Sequence, residues 1–197
     1  MRDDALMFIL YGVLAGLVVS LLTRGSLGRL GDLRLAWAPL IVLGMAVQVL
    51  LFSTPVGDAL GPLAPAVYVA SDLAVLVAVW RNLAIPGLRV VLVGGASNLL
   101  AICANGGYMP VSADALRALG RLPRDGYVNA RPLGAGGEPV AFGPLTDIFP
   151  MPAWLPLANI FSIGDVLIGI GTAIAIVAVT HGRGPLETPA ASGASGH

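Results

Sequence analysis

The sequence predicts an all-α membrane protein with about five transmembrane helices, and composition is the first observation behind this prediction. Of the 197 residues, 56% are hydrophobic and 11% are charged, and the mean hydropathy is +0.85. Soluble domains carry about 25% charged residues, so this chain lacks the polar side chains that would cover a water-exposed surface. Lipid is therefore expected to cover much of the protein.

The second observation is a set of five apolar stretches, separated by breaks that contain Arg, Pro and Gly. They span residues 6–22, 35–52, 64–80, 88–104 and 157–179. Each reaches the roughly 17–25 residues that a helix needs to cross the hydrocarbon core of a bilayer. We expect residues 1–183 to form a single transmembrane domain, and the Pro-, Ala-, Ser- and Gly-rich tail at 184–197 to be disordered.

The fourth connection, residues 105–156, is the least membrane-like part of the chain and is expected to form a partly ordered outer loop. Leu116, Leu119 and Leu122 recur there at helical spacing. Ser112 precedes them and is suited to cap the start of a helix. A short helix lying on the membrane surface is therefore predicted from Ser112 onward, and the Gly- and Pro-rich remainder is expected to be irregular.

Arginine positions predict the orientation in a bacterial inner membrane. The first and third connections carry Arg24, Arg29, Arg34, Arg81 and Arg89, whereas the second carries none. Because basic residues favour the cytoplasmic side, the N-terminus is expected outside and the C-terminus in the cytoplasm. The four arginines of the outer loop oppose this assignment, although long loops translocate largely regardless of charge.

Charge balance and the scarcity of metal-binding residue types exclude several partners and cofactors. Eleven basic and eleven acidic residues give no net charge, so no nucleic-acid partner is expected. One cysteine and two histidines provide no metal-ligand pattern, and no cofactor-binding motif occurs. The expected partners are the lipid bilayer and either other membrane proteins or a lipidated peptide.

Two carboxylates lie inside the apolar stretches, where an ionisable side chain costs about 2.5–3.5 kcal/mol on insertion scales. Asp72 lies near the centre of the third stretch, and Asp165 lies near the start of the fifth. Each is interpreted either as part of a proton, ion or catalytic site or as a hydrogen-bonding group between helices. Gln48 and Asn98 are neutral polar residues within the second and fourth stretches.

Asp147 and Asp165 form the sharpest hypothesis for a catalytic site. The predicted topology places both near the outer face. Two carboxylates brought together at a partly dry site cannot both stay ionised, and such a pair supplies the acid and the base that activate water in an aspartic protease. Asn98 is the expected orienting donor. The candidate binding residues are Asn105, Gly106, Gly107, Asp72 and Ser162, although the Gly106-Gly107 pair is also typical of a simple turn.

Short motifs along most of the chain resemble those of a family of uncharacterised bacterial integral membrane proteins. They are Arg24-Gly25-Ser26-Leu27, Asn82 with Pro86-Gly87-Leu88, Asn98 with Ala104-Asn105-Gly106-Gly107 and Met109-Pro110, and Ser162 with Gly164-Asp165. The resemblance implies a membrane location and brings no activity with it.

A second resemblance is local, over about residues 95–171, and is to the lipoprotein signal peptidases, membrane aspartic enzymes that cleave lipoprotein signal peptides. Their last catalytic segment has the pattern F-N-x-A-D-x-x-I-x-x-G, which is matched here by Phe161, Asp165, Ile168 and Gly171. The setting of Asp147 resembles that of their other catalytic Asp, so the resemblance implies that Asp147 and Asp165 activate water.

The chain also departs from the peptidase pattern. Ser162 and Gly164 replace the Asn and the Ala of the catalytic segment, and Ala101-Ile102 replaces an Asp-Arg pair. The connection that precedes Asp147 is longer, and the fifth helix is additional.

Three functions remain open. The first is a scaffold or accessory membrane protein, and the second is an outer-face peptidase or similar hydrolase that uses Asp147, Asp165 and Asn98. The third is a small transporter or channel through Asp72 and Gln48, for which five helices leave little room unless the chain oligomerises. For the first function, changing a carboxylate should alter abundance, whereas for the second, Asp165→Asn should abolish turnover by a folded protein.

Overall fold

Among the residues that the structure describes, five long helices dominate the fold, and short helices and two small sheets connect them. The structure is a computed structural model, and it describes residues 4–120, 130–132, 139–156 and 158–183. The helices are α1 (Asp4–Leu22), α2 (Ala38–Ser53), α3 (Val56–Leu60), α4 (Ala64–Arg81), α5 (Leu88–Ala104), α6 (Ala113–Ala118) and α7 (Ile163–Thr180). Strand β1 (Met109–Val111) pairs in parallel with β2 (Ala130–Pro132), and β3 (Phe149–Pro150) pairs antiparallel with β4 (Ile160–Phe161).

Two helical segments are long and apolar enough to cross a membrane. One is Val56–Arg81, in which α3 continues through a turn into α4, and the other is α7. Three further apolar helices are shorter, at Ile9–Leu22, Ala38–Ser53 and Leu88–Ala104. The described chain is thus mostly helical, as predicted, whereas the number of transmembrane helices stays a prediction.

Helix α1 packs along α7, and the two helices run in the same direction. Gly12 lies against the backbone of Gly169, and Gly16, one turn later, lies against Ala173. A Cβ atom added at Gly12 would be 2.9 Å from the Cα of Gly169, so glycine allows an approach that no larger residue would.

Helix α5 packs on α7 in the opposite direction. Gly94 of α5 lies against Gly164 at the start of α7, and Gly87 lies against Gly171 farther along. Contacts between α4 and α5 and between α2 and α4 extend the packing into an arc with the order α1, α7, α5, α4, α2. Residues on the inner side of this arc form the candidate site.

Helix α2 begins at Ala38, three residues after the predicted start at 35. The side chain of Asn82 accepts a hydrogen bond from the Ala36 N–H (2.8 Å) and donates one to the Ala36 carbonyl oxygen (2.8 Å). Because both backbone groups of Ala36 are engaged by this side chain, and Trp37 adopts a left-handed φ of +60°, the helix begins only after them.

Helix α7 begins at Ile163, six residues after the predicted start at 157. The pairing of β4 with β3 keeps the backbone extended up to Phe161. The Ser162 hydroxyl then accepts a hydrogen bond from the Asp165 N–H (3.1 Å), and the Asp165 carboxylate accepts one from the Ser162 N–H (2.9 Å). This reciprocal capping box satisfies backbone groups at the helix start and determines where α7 begins.

The predicted surface helix is α6, and it is shorter than expected. Ser112 caps it by accepting a hydrogen bond from the Ala115 N–H (3.3 Å). The helix ends at Ala118, and the predicted continuation past residue 120 lies outside the described residues, as does the predicted disordered tail at 184–197. Leu116 is buried against Val111 and Ile160, so the apolar face of α6 contacts protein.

Candidate functional site

A cavity of about 150 Å³ lies on the inner side of the helix arc, and all five long helices contribute to its wall. Its largely apolar part consists of Ile9, Met45, Val49, Val75, Leu76, Val79, Val91, Gly95, Ile102, Met109 and Ile168. Its polar part consists of Gln48, Tyr68, Asp72, Asn98, Asp147 and Asp165. Three carboxylates from distant parts of the chain therefore face one small space.

Asp165 is held at the cavity wall by donors from two elements. Its Oδ1 atom accepts a hydrogen bond from the Asn98 side-chain amide of α5 (2.7 Å). Its Oδ2 atom accepts one from the Ser162 N–H (2.9 Å). The Ser162 hydroxyl lies 2.9 Å from both Asp165 Oδ2 and Asn98 Oδ1 and shares its single proton between these two acceptors. The three buried side chains form one network between α5 and α7.

Gly164 makes this network possible because it lets α5 approach the first turn of α7. A Cβ atom at Gly164 would lie 2.7 Å from Asn98 Cγ and 2.7 Å from the Gly94 carbonyl oxygen. Gly94 faces the same seam, where its own Cβ would lie 2.9 Å from the Cβ of Leu167. Two glycines on facing helices thus place Asn98 within hydrogen-bond distance of Asp165.

Asp72 lies on α4, the helix that packs against both α5 and α2. Its Oδ1 atom accepts a hydrogen bond from the Gln48 side-chain amide of α2 (3.0 Å). Asp72 thus joins α4 to α2 and at the same time faces the cavity.

Asp147 reaches the cavity from the connection between α5 and α7. Its N–H donates a hydrogen bond to the Pro110 carbonyl oxygen (3.0 Å), and its carbonyl oxygen accepts one from the Ser112 N–H (2.9 Å). These bonds lay the segment beside β1, and the Asp147 side chain is only 2% exposed. Both members of the predicted carboxylate pair, together with Asn98, therefore line the same cavity.

The other predicted binding residues, apart from Ser162, lie away from the cavity wall. The Asn105 side chain donates hydrogen bonds to the carbonyl oxygens of Ala101 (2.7 Å) and Ala141 (2.9 Å) and accepts one from the Ala141 N–H (3.0 Å). Gly106 and Gly107 have φ values of +73° and +83°, which glycine adopts readily in a turn. These three residues end α5 and hold the segment near Ala141 against it.

Tyr68 was not predicted as a residue of the site, whereas Gln48 was paired with Asp72 in the predicted transporter or channel. Tyr68 lies four positions before Asp72, so helical spacing alone places the two on one face of α4. Gln48 is 24 positions from Asp72, and the structure joins the two by a hydrogen bond between α2 and α4. Within the described part of the chain, no group of three or more His, Cys, Asp or Glu side chains could hold a metal ion.

Comparison with curated proteins and with solved structures finds no significant match. The resemblance to lipoprotein signal peptidases therefore rests on the local pattern around Asp147 and Asp165 alone. A family model, however, matches residues 32–177, a span that includes every residue of the cavity wall except Ile9. The predicted membership of an uncharacterised family is confirmed by this match: the chain belongs to the family of unknown function DUF5317.

Proposed function

We propose that this chain is a polytopic integral protein of a bacterial inner membrane, which it crosses with α1, α2, α4, α5 and α7. Large apolar side chains are exposed on all five helices, among them Leu14 and Leu22, Val42 and Leu43, Leu73 and Val77, Val93 and Leu100, and Ile170 and Ile174. Soluble monomers rarely expose so much contiguous apolar surface, whereas lipid tails would cover it without cost.

Exposed tryptophans support the same placement, because this residue favours the membrane–water interface. Trp37 and Trp80 lie at one end of the helices, where the Arg81 guanidinium is 5.4 Å from the Trp37 ring. Trp154 is exposed at the other end, between β3 and β4. In our proposal the arginine-rich end faces the cytoplasm, and the parallel course of α1 and α7 leaves the N-terminus outside.

Reporter fusions test this topology. Green fluorescent protein fused after Arg183 is expected to fluoresce, and alkaline phosphatase fused after Asp58 is expected to be active, because each reporter works on only one side of the membrane. The same two reporters fused after Gly31 serve as the control for a cytoplasmic connection. Active phosphatase at Arg183, or fluorescence at Asp58, would contradict the proposed orientation.

The acid-lined cavity supports a ligand-binding function, which goes beyond the scaffold or accessory role expected from the sequence. The observation that carries this proposal is the convergence of Asp72, Asp147 and Asp165 on one space. Carboxylates at membrane depth are costly and typically mark functional sites. A cavity of about 150 Å³ holds a molecule of the size of benzene, whereas drug-sized ligands occupy about 300–1,000 Å³. The ligand is therefore a small molecule.

Small molecules that copurify with the protein test the binding function. We expect mass spectrometry of the protein, purified from its own membrane in mild detergent, to detect a bound compound. The compound should be lost from Met45→Trp, which fills the cavity from α2, and retained in Leu43→Trp, whose side chain is exposed on the same helix. An identical content in all three preparations would refute the binding function and leave the scaffold function.

A second candidate function is favoured by the shared location of Asp147 and Asp165. As a hydrolase resembling the lipoprotein signal peptidases, the protein would use these two carboxylates to activate water, with Asn98 orienting Asp165. A diacylated peptide cannot fit within about 150 Å³, so such a substrate would have to bind at the mouth of the cavity. This candidate requires that Asp165→Asn abolish cleavage of a lipid-modified signal peptide while the protein stays folded.

A further inference from the structure

The chemistry of the cavity wall restricts which small molecule it would hold. The donors to Asp72 and Asp165 are neutral: the side-chain amides of Gln48 and Asn98, and the N–H and hydroxyl of Ser162. Among the described residues, the wall contains no Arg, Lys or His. Buried carboxylates are normally paired with a positive charge or a metal ion, or they are protonated, so an occupant that carries a cationic group or accepts a proton would complement Asp72 and Asp165.

A metal ion does not fit this role well. The described part of the chain contains no group of three or more acidic, His or Cys side chains close enough to hold one. Asp72 lies on α4 and Asp165 lies at the start of α7, and both line the cavity.

The rest of the cavity wall favours an occupant that has an apolar body. Val75, Val91 and Ile168 belong to the largely aliphatic part of the wall, which lines the cavity together with the carboxylates. Aliphatic walls gain free energy by covering apolar ligand surface and gain nothing from a fully hydrated ion. The occupant that satisfies both parts of the wall has a positive or proton-sharing group at one end and a ring or short chain at the other.

We propose that the cavity binds a small organic amine with an apolar body of about the size of benzene, an inference that rests on the proposed ligand-binding function. An amine suits either protonation state of the wall. As an ammonium ion it pairs with a carboxylate, and as a neutral amine it accepts the proton of a carboxylic acid. In both cases the complex carries the same net charge, and the amine remains within reach of hydrogen-bond partners.

Three ring compounds that differ in one substituent test this inference. Benzylamine, benzyl alcohol and benzoate are titrated against the full chain in detergent at pH 7, and the unfolding midpoint is followed as a function of concentration. We expect benzylamine to bind about tenfold more tightly than benzyl alcohol, as a charge-assisted hydrogen bond requires, and benzoate to have no effect. Benzyl alcohol also corrects for partition of the ring into the micelle.

Substitutions of cavity residues test whether benzylamine binds in the cavity. Asp72→Asn keeps an oxygen that accepts from Gln48 and is expected to weaken benzylamine binding about tenfold, whereas Asp32→Asn, an exposed site, is expected to leave it unchanged. Met45→Trp should abolish binding by filling the cavity, which provides a second variant if Asp72→Asn does not fold.

Two outcomes would overturn the amine inference. One is equal binding of benzylamine and benzyl alcohol, and the other is undiminished benzylamine binding by Asp72→Asn. Either outcome leaves the ligand-binding function standing, provided that Met45→Trp still loses a copurified compound. If one of these outcomes occurred and Met45→Trp also kept the copurified compound, both the ligand-binding function and the amine inference would be refuted.

Discussion

Gly164→Ala is expected to prevent most of the protein from reaching its folded state. The added Cβ would lie 2.7 Å from Asn98 Cγ and 2.7 Å from the Gly94 carbonyl oxygen, and closer still to Asn98 Oδ1. The α5 backbone cannot retreat without opening its seam with α7, and Asn98 is held by Asp165. We expect the free energy of unfolding to fall by about 3 kcal/mol or more, measured as a lower unfolding midpoint and loss of the monodisperse peak in size-exclusion chromatography.

Gly143→Ala is the matched control, because a Cβ atom at Gly143 would meet nothing within 4 Å. Its effect on the free energy of unfolding is expected to stay within about 0.5 kcal/mol. Combining Gly164→Ala with Asn98→Ala removes the contact with the side chain but not the one with the Gly94 carbonyl, so only part of the loss should be recovered. If Gly164→Ala and Gly143→Ala lowered the free energy of unfolding equally, the close contact between α5 and α7 at Gly164 would be refuted.

Asp165→Ala is expected to be the most damaging change of a carboxylate. It leaves the Asn98 amide and the Ser162 N–H without their acceptor in a buried place, at about 1–3 kcal/mol for each unsatisfied group. We expect a total loss of about 3 kcal/mol. Asn98→Ala removes one of the same hydrogen bonds, so the double variant should cost about 1–2 kcal/mol less than the sum of the single variants. Thermal unfolding of the four proteins in one detergent measures this coupling.

Asp165→Asn is the control that separates fold from chemistry. Asn98 can exchange its amide oxygen and nitrogen by rotation, after which its oxygen accepts from the new amide at 165 and its nitrogen donates to the Ser162 hydroxyl. The remaining oxygen at 165 still accepts from the Ser162 N–H. We therefore expect Asp165→Asn to fold with little loss. If it is instead as unstable as Asp165→Ala, the carboxylate charge itself is part of the fold.

This contrast also decides between the two candidate functions. Because Asp165→Asn is expected to stay folded, the loss of peptide cleavage in this variant would be chemical and would support the hydrolase. The absence of cleavage by the unsubstituted protein, with a copurified ligand present, would support the binding protein. The earlier expectation for a scaffold, that a carboxylate change lowers abundance, applies most directly to Asp165→Ala.

Local sequence signals determined the helical class and several helix boundaries. Helix α5 spans Leu88–Ala104, as predicted, because the residues next to its two ends determine where it begins and ends. Gly87 adopts a φ of +93° just before it, and the Asn105 side chain bonds to the Ala101 carbonyl at its end. The unusual positions of Asp72 and Asp165 within apolar stretches were likewise visible in the sequence. A carboxylate at membrane depth costs free energy, so it stands out among apolar residues.

Boundaries set by distant partners could not be predicted. Helix α2 begins late because Asn82, 46 positions away, engages the backbone of Ala36. Helix α7 begins late because β4 pairs with β3 before Ser162 caps the helix. Neither contact has a periodic signature, since hydrogen bonds between distant segments impose no spacing on the residues between them.

The sequence by itself determined that the chain is a helical protein of an uncharacterised family with carboxylates in apolar surroundings. Only the tertiary structure brought Asp72, Asp147 and Asp165 to one cavity and assigned Asn105, Gly106 and Gly107 to a turn away from it. The physical reason is that helix order decides which faces meet. That order depends on close contacts such as Gly94 with Gly164, whose partners lie far apart in the chain.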